Sequence, residues 1–86
     1  MTFSIITISY NAECTIEKTL VSVASQSYKE IEHIIVDGGS KDKTLEICEN
    51  YPHISRITSE KDNGVYDAFN KGLKLATGEV VGFLNA

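Results

Sequence analysis

Residues 3–24 read FSIITISYNAECTIEKTLVSVA, and within them the hydrophobic period changes once. Phe3 to Ser9 is apolar and β-branched nearly throughout, the pattern of a strand buried on both faces. YNAEC then interrupts it with polar residues. From Thr15 onward, Ile16, Leu20, Val23 and Ala24 fall at i, i+4, i+7 and i+8, an amphipathic helix that Thr15 can cap. A doubly buried strand leading into a helix is the opening of a β-α-β unit.

The same alternation repeats downstream. Ile31 to Asp37, IEHIIVD, is the next strand, and Gly38 and Gly39 turn the chain. Ser40 or Asp42 can cap a helix carrying Leu45, Ile47 and Cys48, with Pro52 at its end or just past it. Ile54 to Glu60 alternates as a less buried strand at an edge. Val65, Ala68, Phe69, Gly72, Leu73 and Ala76 form an apolar stripe at helical spacing. Gly72 inside a helix costs about 1 kcal/mol against Ala, so its place implies close packing of helix backbone on the sheet. One of Asp62 or Asn63 is expected to cap this helix, and Gly78 to stop it. Glu79 to Leu84 is the last buried strand. Strands and helices in alternation mean parallel strands joined by right-handed crossovers. The expected fold is α/β: a Rossmann-like doubly wound half, a mainly parallel four-stranded sheet in order 3-2-1-4 with helices on both faces. Residues 1–86 are expected to form one unit.

Composition narrows the partners. Hydrophobic residues make up 42% and charged residues 23%, a globular balance. The net charge of −4, with acids and bases interspersed, lacks the basic footprint of a nucleic-acid binder. Cys14 and Cys48 have no ligand spacing and read as buried reduced thiols. No secretory signal and no apolar run near the ~20 residues of a membrane span is visible. The cytoplasm is the default location, with peripheral attachment to the inner membrane face compatible with it.

Ligands of open α/β sheets bind beyond the carboxyl ends of the strands, where strand order reverses. In a 3-2-1-4 sheet that edge collects Ser9, Tyr10, Asn11 and Glu13 after the first strand. Asp37, Gly38 and Gly39 follow the second, Asn63 and Gly64 the third, Asn85 and Ala86 the fourth. The polar start of the Val65 helix, with Asp67 and Lys71, can lean over the same crevice. Each residue also has a plainer reading. Tyr10 and Asn11 suit a turn, Asp37 a loop carboxylate, and Gly38–Gly39 a tight turn. Asp67 and Lys71 suit an i, i+4 ion pair on a solvated face. Convergence on one edge favours a site. Neither GxGxxG, GxxxxGK[ST] nor GxSxG occurs. His33 in a strand and His53 beside Pro52 form no paired metal spacing or nucleophile–base arrangement. Dehydrogenase and hydrolase chemistry therefore lack their parts.

SIITISYN, SVASQSYKEIEHIIVDGGSKDKT and DNGVYDAFNKGLKLATGEVVGFLNA together resemble the N-terminal half of family 2 inverting glycosyltransferases with the GT-A fold. The branch they are most similar to builds bacterial O-antigen, capsule or exopolysaccharide. The resemblance covers essentially the whole chain. It implies a nucleotide-diphospho-sugar donor at the switch point and a glycan or lipid-linked acceptor. It also implies that Tyr10, Asn11 and Glu13 line the nucleoside pocket, and that Asp37 holds the first acidic position of a nucleotide-contacting DDGS motif. Gly38 replaces the second acid, so the motif as it stands here does not specify the base. Asp62, Asn63, Gly64, Asp67 and Lys71 match the family's donor-side helix start. Asn85 stands at the first position of a D-x-D type motif that holds a divalent cation, Mg²⁺ or Mn²⁺. The acid expected next, the acceptor half and its catalytic base all lie beyond Ala86. On this reading the chain is incomplete and inactive by itself, and its bared sheet surface permits self-association. Two rival classes are a receiver-like regulatory or interaction module and a nucleotidylyltransferase. The first needs acids after strand one, where SYN stands; the second needs a Gly-rich basic loop, where YNAEC stands.

Overall fold

The computed structural model describes residues 2–26, 30–61 and 64–85. Its elements run β1 (Phe3–Ser9), α1 (Ile16–Ala24), β2 (Ile31–Asp37), α2 (Thr44–Glu49), β3 (Ile54–Ser59), α3 (Val65–Leu75) and β4 (Val80–Asn85). The four strands form one parallel sheet in the order β3-β2-β1-β4. The expected order and helices on both faces are both present.

Alternation along β2 explains the two layers. Ile35 points to one face, where Ala12, Ile16 and Leu20 of the first crossover and Cys48 of α2 close over it. Ile34 and Val36 point to the other, against Ile6 and Ala68 of α3. Because both faces are covered, Ile34, Ile35 and Val36 in β2 are apolar without alternation. The α1 stripe is buried at Ile16, Leu20 and Val23, while Ala24 is exposed.

Glycine fixes how closely α3 approaches. A Cβ at Gly72 would lie 2.5 Å from Cγ2 of the fully buried Ile6. The helix backbone therefore rests directly on β1, as expected from a glycine placed inside the apolar stripe.

Several local expectations are corrected. Thr15 occupies the position before α1, but its hydroxyl makes no capping bond to the helix. It leans instead 3.5 Å from the Ala12 carbonyl behind it. Gly64, not Asp62 or Asn63, is the residue before α3; the latter two lie outside the described residues. Helix α3 ends at Leu75, and Ala76 is already extended, so Gly78 does not stop it. Leu73 leaves the stripe and is exposed, while Leu75 packs on the core instead. Cys14 is exposed and only Cys48 is buried: Cys14 lies between the buried Ala12 and Ile16 and faces away from the core they join. Strand β4 begins one residue later than expected.

The two sheet edges differ. Outer strand β3 carries exposed Ser55, Arg56 and Ser59, and its pairing shifts register beside His33. These features discourage further pairing. Strand β4 has no charged residue and leaves Val80, Phe83 and Leu84 about two-fifths exposed. It is the surface to which the expected self-association refers.

Candidate functional site

Three strands end at one level. Ser9 of β1 is in register with Asp37 of β2, and Asp37 with Ser59 of β3. Asn85 of β4 pairs with Ile8, so all four strands finish along the same edge. Two further bonds carry the ladder past the strand ends: Gly38 N–H donates to the Ser9 carbonyl at 2.9 Å and Glu60 N–H to the Asp37 carbonyl at 3.1 Å.

The Asp37 side chain is at the centre of this edge and is only 1% exposed. Its Oδ1 accepts the hydroxyls of Ser9 at 2.8 Å and Ser40 at 2.5 Å. Its Oδ2 accepts the amides of Gly39 at 3.0 Å and Ser40 at 2.7 Å, and the Ser59 hydroxyl at 3.0 Å. Burial pushes the carboxyl's pKa up. The donors, Ser40 foremost and then Ser9 and Ser59, outweigh burial and hold it below the usual carboxylate range.

The β1–α1 and β2–α2 loops are laced together next to it. Asn11 N–H donates to Ser40 Oγ at 2.8 Å, and Lys41 N–H returns a bond to Asn11 Oδ1 at 2.9 Å. Ala12 N–H donates to Thr44 Oγ1 at 2.8 Å, and Glu13 N–H to Asp42 Oδ2 at 3.1 Å. The other Asp42 oxygen takes the amide and hydroxyl of Thr44, but the residue before α2 is Lys43, so neither Ser40 nor Asp42 holds the expected cap position. Asn11 adopts φ 47°, a left-handed backbone that Asn tolerates better than most residues. Tyr10 is exposed at the tip of the loop, 59% accessible.

The β3–α3 segment completes the rim. Gly39, at φ 85°, turns the β2–α2 loop against this segment, where a Cβ would lie in ordinary contact, 3.5 Å from Lys61 N. Lys71 reaches back from α3 to Glu60 at 3.2 Å, Asp67 at 3.4 Å and the Lys61 carbonyl at 3.4 Å. The Asp67–Lys71 pair is thus the i, i+4 ion pair of the plainer reading, with Glu60 added. A shallow cleft of about 380 Å³ between β3 and α3 is lined by Glu60, Asp67, Lys71 and Lys74. Its charges balance. Asn63 lies outside the described residues, and Asn85 is placed by its backbone alone.

A family model described as Glycosyl transferase family 2 matches residues 4–86. The chain belongs to this family. It is 41% identical to a PGL/p-HBAD biosynthesis glycosyltransferase of Mycobacterium bovis, over 98% of this chain and 34% of that protein. Among solved structures, S. aureus TarS 1-349 in complex with UDP-GlcNAc superposes with a TM-score of 0.91. The identity is 35%, across 99% of this chain and 26% of that one. The mannosyltransferase PcManGT from Pyrobaculum calidifontis, in complex with GDP-Man and Mn²⁺, gives a TM-score of 0.82 at 30% identity. That match covers 92% of this chain and 25% of that one. The chain spans about a third of the length of the curated relatives it matches. These likenesses place it in the GT-A, Rossmann-like fold.

For a family 2 glycosyltransferase the rim divides into two sets. Ser9 and Asp37 are buried beneath it; Tyr10, Asn11 and Glu13 stand on its surface, with Gly38 half-buried between. Asp67 and Lys71 brace the β3–α3 loop. Among the described residues no three His, Cys, Asp or Glu side chains converge to hold a metal. No helix among them is long and apolar enough to cross a membrane. Sequence reasoning missed Ser59, whose hydroxyl bonds Asp37, and Thr44, whose hydroxyl accepts the Ala12 amide; both partners are distant along the chain. The sequence offers Ser40 only as one of two caps for α2, a place that Lys43 takes; its bond to the Asn11 amide is not legible there.

Proposed function

We propose that this chain forms the donor side of an inverting glycosyltransferase. It binds a nucleotide-diphospho-sugar for transfer to a glycan or lipid-linked acceptor in cell-surface polysaccharide synthesis. The observation that supports this most is the rim itself: three carboxyl-edge loops fastened to each other, with Tyr10 and Asn11 exposed on top. Such an edge is where open α/β sheets take their ligands. The phenol ring of Tyr10 offers a stacking face that accepts any base. Beside it, Asn11, Glu13 and the backbone of Gly38 and Gly64 supply polar contacts. Asn63 and Asn85 belong to the same proposed rim by position.

In the proposed transfer, an acceptor hydroxyl oxygen bonds to the anomeric carbon from the face opposite the leaving group. The anomeric C–O bond to the diphosphate breaks, and nucleoside diphosphate departs with the electron pair. The acceptor's proton passes to a general base. The role assigned to residues 1–86 is binding. The base and the cation-holding acids are assigned to further polypeptide, where a divalent ion would neutralise the leaving diphosphate.

Calorimetric titration of the chain with UDP- and GDP-sugars tests this. Binding is expected, weakened about tenfold by Tyr10→Ala, the scale of one lost base–aromatic stack. Folded protein that takes up neither nucleotide would contradict the reading.

A further inference from the structure

Accepting the donor-binding reading above, we infer that Asp37 is a positioning residue: it fixes the three rim loops and makes no contact with the donor's base. A carboxylate has two oxygens with about four lone-pair sites between them. Those of Asp37 already receive five protein donors, and the residue is 1% exposed. No site remains for a base N–H, and almost no carboxylate surface is accessible to one.

The donors come from all three loop origins, Ser9 at the end of β1, Gly39 and Ser40 after β2, and Ser59 at the end of β3. One of them relays the effect outward. Ser40 Oγ gives its proton to Asp37, which leaves its lone pairs facing the Asn11 amide 2.8 Å away. Asn11 in turn holds Lys41 N–H. The left-handed turn at Asn11, adjacent to exposed Tyr10, is thereby tied to a carboxylate that no ligand reaches. Strained backbone of this kind persists where its surroundings over-determine it. The single acid at this position, with Gly38 beside it, leaves the knot free of a second carboxylate's repulsion.

Amide hydrogen exchange on the chain, paired with UDP and GDP titrations, tests this. Asp37→Asn is expected to speed exchange at Asn11, Gly39, Ser40 and Lys41 at least tenfold, the scale of one lost bond to a charged group. Ile34 and Ile35 in the sheet stay protected. UDP and GDP affinities fall by a common factor. Ser59→Ala, which reaches the rim only through Asp37, gives a smaller change of the same kind and serves if Asp37→Asn does not fold. The inference is overturned if Asp37→Asn leaves the loop amides protected while changing the ratio of UDP to GDP affinity. It is also overturned if Ser59→Ala leaves both exchange and affinity at wild-type values. Wild-type protein that binds neither nucleotide sinks the donor reading alone, since the exchange rates report the loop fastening without ligand.

Discussion

Acidification from pH 7 to pH 4 is expected to remove about 3 kcal/mol of folding stability through His33 alone. The His33 ring is fully buried in β2. One nitrogen, Nε2, lies 2.7 Å from Thr7 Oγ1, and the other, Nδ1, 3.0 Å from Nε2 of His53. Burial first, and the second imidazole next, push its pKa from 6.5 down to about 4. Burial also lowers that of His53, whose ring stacks on His33 and meets Tyr51 edge-on. The unfolded chain then takes up a proton near pH 6.5 that the folded chain refuses until about pH 4. Stability is therefore whole above the upper value and lost as pH falls through the window. Carboxyls held low, such as Asp37 and Glu32, act in the same direction but at still lower pH. Urea unfolding at half-unit pH steps checks this, with His33→Leu flattening the slope between pH 6.5 and 4. An unchanged slope in that variant would remove His33 as the cause.

Gly78→Ala is expected to cost about 3 kcal/mol, at the upper end for one inserted methyl. Its Cβ would fall 2.6 Å from Ser4 Oγ, 2.7 Å from Ser4 N and 2.8 Å from the Thr2 carbonyl. Two of these are backbone atoms, one in β1 and one just before it, which have no rotamer by which to yield. The same turn carries Gly78 N–H to Ser4 Oγ, Glu79 N–H to the Thr2 carbonyl, and Thr77 amide and hydroxyl to Glu32. Displacing it loosens the entry of β4 along its whole attachment. Gly82→Ala is the control, since its Cβ would meet only the tip of Ile5 at 3.4 Å and stability should hold within about 0.5 kcal/mol. Equal midpoints for the two variants in thermal unfolding would refute the assignment.

The parts legible in sequence are those set by local period. Ile34, Ile35 and Val36 announce a strand covered on both faces, and Gly72 within an apolar stripe announces a backbone seated on the sheet. Gly78 reads locally as a helix stop, whereas its actual constraint is Ser4, about seventy residues away in sequence. His33 and His53 look unrelated by spacing, yet the β2–β3 pairing stacks them. At the rim, Tyr10 and Asn11 could be located by strand order alone. The spending of Asp37 on Ser9, Ser40 and Ser59 could not, because a carboxylate's partners depend on register between strands. Lys71 was half legible: Asp67 one turn away is a local relation, whereas Glu60 comes from the preceding loop.

On this reading the fastened carboxyl-edge loops are where a nucleoside diphosphate sits. Two-dimensional amide NMR of the chain during UDP titration tests it most directly. Saturable shifts are expected at Tyr10, Asn11, Gly38 to Lys41 and Gly64, with little change at His33 within β2 or at His53 before β3. Shifts confined to the β3–α3 cleft or the α1 surface, with Tyr10 and Asn11 unmoved, would contradict the account.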